Sequence, residues 1–284
     1  MRSFSQVDVF TATPLLGNPV AVVLDSEGMS DPAMAQFANW TNLSETTFVL
    51  PPTDPAADYR VRIFTPGAEL PFAGHPTIGT CHAWLEAGGV PKTPGVIVQE
   101  CGVGLVHLRQ TNGRLAFAAP PLIKGGPVSE DELAPVCAVL DVDRAEIVDA
   151  QWADNGPGWI AVRLASAEAV LNVQPDFGAV EGVGHGIAGE FPVGVVGITP
   201  GSVDNIVVRA FFGADGVPTE DPVTGSLNAA LAQWLLADGT LTAPYVASQG
   251  TALGRNGRVY IEEADGQIWV GGDAVTVIAG EVAL

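Results

Sequence analysis

Positive charge is scarce in this sequence. Its 284 residues include 12 Lys and Arg against 32 Asp and Glu, a formal charge of −20. Binding nucleic-acid phosphates needs clustered basic side chains, and the few here are scattered, so no nucleic-acid partner is expected. Cysteine is sparse as well. Cys81, Cys101 and Cys137 form no CxxC pair and no metal-ligand spacing, which suits free thiols in a reducing cytoplasm. The four histidines, His75, His82, His107 and His185, show no HxxxH or HExxH pattern, so no metal site is expected. No apolar run approaches the ~18 residues of a membrane span, and Met1–Ser5 leads into no signal-peptide core. A membrane partner is therefore not expected either. No GxGxxG leads from a strand into a helix, no Gly-Lys-Ser/Thr is present, and Lys92 and Lys124 lack a Schiff-base setting. The expectation is an enzyme or binding protein without a cofactor.

The acidic excess reads as a solvated surface, but it sets a condition on function. An anionic ligand is repelled at long range, so any site for one must be locally positive.

What is abundant is apolar sequence, at 47%, and glycine, at 34 residues. Short runs rich in Val, Ile and Phe between Gly/Pro turns predict strands, among them Val20–Asp25, Thr46–Leu50, Tyr59–Phe64, Trp159–Leu164, Val193–Ile198 and Ile206–Phe212. Ser30 and Pro32 mark the start of a helix over Asp31–Trp40. Ser129-Glu130-Asp131-Glu132 matches a capping box.

Two further helices carry almost no charge. One follows Gly74 and holds only Glu86; the other follows Gly225 and holds only Asp238 as acid or base. A helix that is apolar nearly all round is buried. The lead-ins match as well. Glu69-Leu70-Pro71-Phe72-Ala73-Gly74-His75 aligns without a gap on Glu220-Asp221-Pro222-Val223-Thr224-Gly225-Ser226, and both helices contain Trp-Leu and close on Ala-x-Gly. This predicts an internal duplication. The expected fold is α+β, with two pseudo-symmetric halves, each a strand barrel around a central buried helix. The halves are placed at 1–123 and 124–284, with the last strand able to cross back to the first half.

Each buried helix begins with amides that lack an intrahelical partner, and its dipole adds about half a positive charge there. Facing halves would let two such starts trap a carboxylate without Lys or Arg. Side chains or water could instead cap these amides, and His75, just before Pro76, could serve as an N-cap. The repeat is also broken at chemically useful places: Asp221 stands where the first half has Leu70, and Ser226 where it has His75. Glu45, at the entry to a predicted strand, reads by itself as a solvated carboxylate.

A resemblance changes that reading. Gly17-Asn18-Pro19-Val20-Ala21-Val22, Asn42-Leu43-Ser44-Glu45-Thr46, Phe64-Thr65-Pro66, the Glu69–Thr77 segment, the Asp221–Ser226 segment, and the late Gln249-Gly250, Gly254-Arg255 and Gly271-Gly272 resemble, in order, the motifs of PhzF-like isomerases. That resemblance implies a diaminopimelate-epimerase-like fold, a cytoplasmic homodimer and a small anionic substrate such as 2,3-dihydro-3-hydroxyanthranilate. It implies Glu45 as the proton-shuttling carboxylate, with its pKa raised beside Leu43 and Phe48, and Asp221 and His75 as polar partners. Gly74, Gly225, Ser226, Ser44 and Asn18 would be substrate contacts. Three other readings stand beside it: a one-base epimerase or racemase of another small amino or hydroxy acid, a non-catalytic small-acid binding protein, and a cysteine epimerase. The last needs thiols at the helix starts, where His75 and Ser226 stand.

Overall fold

A computed structural model describes residues 1–180, 191–214 and 217–284. His185 lies outside the described residues. The chain divides into two compact units, Met1–Ala118 with Val270–Leu284, and Ala119–Trp269. The division thus falls at 118/119 and 269/270 rather than at 123/124.

In the first unit, β1 (Arg2–Val9) pairs antiparallel with both β2 (Asn18–Val23) and β18 (Ala274–Val282). β2 runs parallel to β3 (Glu45–Leu50), joined through α1 (Asp31–Thr41). β3 pairs antiparallel with β4 (Tyr59–Phe64), and β4 with the short β5 (Glu69–Leu70). After α2 (Gly74–Glu86), β6 (Val96–Cys101) runs parallel to β4 and continues antiparallel into β7 (Gly104–Thr111) and β8 (Arg114–Ala118). α2 packs against β1, β2, β3, β6, β8 and β18, and its first turns from Gly74 to Cys81 are buried. The near absence of charge on this helix is explained by strands surrounding it.

The second unit repeats the order. β9 (Lys124–Pro127) and the antiparallel pair β10 (Ile147–Asp154) and β11 (Ile160–Leu164) are followed by β12 (Val193–Ile198), parallel to β11. β13 (Ile206–Ala214) pairs antiparallel with β12 and with β14 (Val217–Asp221). After α5 (Gly225–Ala237), β15 (Tyr245–Gln249) runs parallel to β13, and β16 (Gly257–Ala264) pairs with it. β17 (Gln267–Gly272) then leads back to the first unit. α3 (Glu130–Leu140) has the expected capping box at Ser129 and Glu132, and α4 (Ala167–Asn172) links β11 to β12. α5 is buried along most of its length and packs on β10 and β16.

Strand register makes the duplication residue-specific. Phe64 pairs with Glu69 on one side and Thr46 on the other. Phe211 pairs with Glu220 and Val193 in the same way. The duplicated Glu has a common partner too. Arg62 binds Glu69 through Nε and Nη2 at 2.7 and 2.6 Å. Arg209, likewise two residues before its Phe, binds Glu220 at 2.9 and 2.8 Å. The architecture is α+β with two pseudo-symmetric halves, each holding a helix within its own strands.

Candidate active site

The candidate residues fall in both units, and each set has its own construction. In the first unit, α1 ends at Asn42 in the left-handed conformation, φ 53°. This turns the chain sharply and makes Glu45 the first residue of β3. Alternation along a strand then puts Glu45 and Thr47 on one face, Thr46 and Phe48 on the other. Thr47 faces α2, where Thr80 Oγ1 donates to its hydroxyl at 2.8 Å. Phe48 instead joins the apolar cluster of Val23, Met34, Phe37 and Phe64. The expected apolar setting of Glu45 beside Phe48 is thus corrected, because strand alternation separates the two.

Glu45 meets His75. Its Oε2 lies 3.3 Å from His75 Nε2, with the side chains 15% and 6% exposed. His75 is the second residue of α2; Ala73 is the N-cap, so His75 does not cap the helix. Asn18, at the start of β2, places its amide nitrogen 3.3 Å from His75 Nδ1. Nδ1 thus faces the Asn18 amide and Nε2 faces the Glu45 carboxylate. Burial pushes the imidazole down to about 3, and the Pro19 carbonyl beside the ring opposes this only in part. His75 is thus neutral near pH 7. It lies within ion-pair distance of the Glu45 carboxylate but, uncharged, cannot act as an imidazolium acid. Asn18 is fully buried beside His75. Ser44 is exposed next to Glu45, and Gly74 is buried at the helix start.

In the second unit, Asp221 ends β14 and accepts a hydrogen bond from Thr224 Oγ1 at 2.6 Å. Gln249, at the end of β15, organises this corner. Its Oε1 accepts from Thr224 N and Asn228 Nδ2, both at 3.0 Å. Its Nε2 donates to the Thr224 hydroxyl at 2.9 Å and to the Asp221 carbonyl at 3.1 Å. One amide thereby uses both ends on the lead-in to α5. Ser226, the second residue of α5, accepts from the Trp159 indole at 3.1 Å, and its carbonyl accepts from Asn155 Nδ2 at 2.9 Å. The helix starts have no side-chain cap: neither Ala73 nor Thr224 makes one. Sequence reasoning assigned no role to Gln249, Thr224, Trp159 or Asn155. Gln249 and Thr224 did stand in recognised motifs, but Trp159 and Asn155 carried no signal, since their partner Ser226 is distant in sequence.

The equivalence of the halves locates the carboxylate. Thr46 and Val193 occupy the same register position, so the residue before each is also equivalent: Glu45 in one half, Pro192 in the other. A scaffold present twice carries a carboxylate at this position once.

The sequence profile of the PhzC-PhzF family, phenazine biosynthesis-like proteins, matches residues 7–280. The chain belongs to this family. The Schizosaccharomyces pombe protein named antisense-enhancing sequence 1 is 36% identical, over 99% of this chain and 98% of its own length. The trans-2,3-dihydro-3-hydroxyanthranilate isomerase of Pseudomonas fluorescens is 31% identical over the whole of both chains. A crystal structure of a PhzF-family phenazine biosynthesis protein from Enterococcus faecalis aligns over the full length of both chains, with a TM-score of 0.80 at 24% identity. That structure bears on the fold. Family and relatives together make this protein an isomerase of the PhzF-like group. Among the described residues, no helix is long and apolar enough to cross a membrane.

Proposed function

We propose that this isomerase moves a proton between carbons of a small carboxylate substrate, such as trans-2,3-dihydro-3-hydroxyanthranilate, with Glu45 as the single general acid/base and no cofactor. The observation that carries this reading is the Glu45–His75 contact at 3.3 Å, at a register position that the second half fills with proline. In the proposed cycle, the Glu45 carboxylate takes a proton from a carbon of the substrate, the double bond shifts, and the resulting carboxyl returns the proton at another carbon. No electrons are gained or lost overall. His75 remains neutral and holds the carboxylate in place. Asp221, Gly74, Gly225, Ser226 and Ser44 are the proposed substrate contacts, and helix-start amides supply local positive potential in an acidic protein.

The test is Glu45→Gln, assayed with trans-2,3-dihydro-3-hydroxyanthranilate and with a panel of small amino and hydroxy acids in deuterated water. Turnover and deuterium incorporation should fall by at least ~10²-fold, the lower range for losing a general acid/base, with an unchanged melting curve. Near-normal exchange in the variant would remove Glu45 from the mechanism. Turnover of only another acid on the panel would favour a one-base epimerase or racemase. Binding without exchange in the parent protein would favour a small-acid binding role. The same reading carries a cytoplasmic homodimer, and the free state of Cys81, Cys101 and Cys137 fits a reducing compartment. Sedimentation of the purified chain checks the assembly.

A further inference from the structure

We infer that Trp159 is a positioning residue that sets the direction of the Ser226 hydroxyl and so gives the start of α5 its preference for a charged carboxylate over a neutral group. This rests on Ser226 being a substrate contact. Trp159 is fully buried and its ring packs against Phe212 at 4.8 Å. An indole N–H can only donate, and at 3.1 Å it occupies a lone pair of Ser226 Oγ. The hydroxyl proton must then point away from the indole, which makes Ser226 a donor to whatever lies beyond it.

The segment that carries Trp159 is built to be stiff. Asp154 Oδ1 accepts from the amides of Gly156 and Gly158 at 2.7 and 2.8 Å. Trp159 O accepts from Ala153 N at 2.9 Å, and Ile160 N donates to Pro192 O at 3.2 Å. Asn155, from the same turn, holds the Ser226 carbonyl at 2.9 Å. One turn thus grips both the backbone and the side chain of Ser226. The residue at the matching position of the first half, His75, is also held by a buried amide, with Asn18 Nδ2 3.3 Å from its Nδ1.

A hydroxyl that donates to a carboxylate makes a charge-assisted bond, roughly twice as strong as one to a neutral acceptor. The structure therefore predicts discrimination between 3-hydroxyanthranilate and its carboxamide, used as unreactive probes in calorimetry. Ser226→Ala should weaken the carboxylate roughly tenfold and the carboxamide much less. Trp159→Phe, which keeps the ring and removes the donor, should reproduce most of that loss, and the double variant should add little to either. If Trp159→Phe keeps full discrimination while Ser226→Ala loses it, the inference on Trp159 is overturned and the contact reading stands. Fully additive losses would also overturn it. If Ser226→Ala itself changes nothing, the contact reading fails and takes the inference with it. A second measurement is independent of whether Trp159→Phe folds. The Trp159 indole N–H resonance of the full chain should move in Ser226→Ala and on adding 3-hydroxyanthranilate. A resonance unmoved by both overturns the proposal.

Discussion

Lowering the pH should destabilise this protein through His75 in a way that one substitution isolates. The ring is 5% exposed, and burial takes its pKa from 6.5 to about 3. The folded-state pKa lies below the unfolded one. Between those values the unfolded chain binds a proton that the native ring does not. The stability associated with the neutral ring is therefore fully present above about pH 6.5 and lost as the pH falls towards 3, by up to ~1.4 kcal/mol per pH unit. From pH 7 to pH 5 the loss comes to about 2 kcal/mol.

The carboxylates also titrate at the lower end of that window, so the comparison must be differential. His75→Gln retains a polar side chain but takes up no proton. Urea unfolding of both proteins at pH 7 and pH 5 gives four free energies. The drop in the parent protein should exceed the drop in the variant by about 2 kcal/mol, whatever the substitution costs at pH 7. Nitrogen chemical shifts of the native ring should stay those of a neutral imidazole across the same range. Equal pH dependence in the two proteins would refute the reasoning. His75 would then be protonated in the native state at pH 5, and its contact with Glu45 would be an ion pair rather than the approach of a neutral ring.

Two stability predictions use the duplication as an internal control. Glu69 and Glu220 occupy equivalent positions and each binds an Arg, but the first pair is 41% and 22% exposed and the second 10% and 5%. Glu220→Gln should cost about 3–5 kcal/mol by leaving a buried guanidinium uncompensated, and Glu69→Gln less than about 1 kcal/mol; comparable losses in denaturant unfolding would contradict this. Gly79→Ala should destabilise even though alanine is the better helix former by about 1 kcal/mol. A Cβ there would lie 2.3 Å from Val20 Cγ1 and 3.0 Å from Val9 Cγ2, and overpacking against branched side chains typically costs about 1–3 kcal/mol. A raised melting temperature in Gly79→Ala would refute that balance.

The features legible in the sequence were those that act over short distances along the chain. The capping box at Ser129 and Glu132 and the helix start at Ser30 and Pro32 depend on neighbours within one turn, and both form. The buried helices announced themselves by lacking charge, and Glu-x-Pro-x-x-Gly announced the repeat. The reason for the shared Glu was not legible, because its Arg lies across a hairpin on β4 or β13. β10 and β15 were missed because Ile147–Asp154 and Tyr245–Gln249 mix polar and apolar residues without a clean alternation. In the site, composition gave Glu45 no distinction, and only its motif did. That motif named His75 as a partner but did not reveal which face of β3 Glu45 occupies, so Phe48 was taken as a neighbour as well. Asn18 was recognised only within a motif, and its place beside the imidazole was not legible, because His75 lies 57 residues away.

The proposed use of Glu45 as the single acid/base leads to a prediction about the fate of the proton. Enzymes that invert a centre with two bases remove a proton with one group and deliver a different proton with another, so every turnover draws from solvent. The duplicated scaffold here could have supplied two such groups. Register equates Glu45 with Pro192 and Leu70 with Asp221, and the gap-free lead-in equates His75 with Ser226; none of these pairs places a second carboxylate at the Glu45 position. In the proposed cycle a single carboxyl holds the abstracted proton until it returns it. It can exchange with water in the interval only as fast as the site admits water. Substrate deuterated at the reacting carbon and turned over in ordinary water should therefore yield product carrying part of that deuterium at the receiving carbon. The fraction should be independent of enzyme concentration, because transfer occurs within one active-site visit. Mass spectrometry of product from the first few turnovers measures it. Should the label be lost completely, and stay lost at low temperature where chemistry and exchange separate, a second base would have to be sought, and the asymmetry between Glu45 and Pro192 would no longer explain the mechanism.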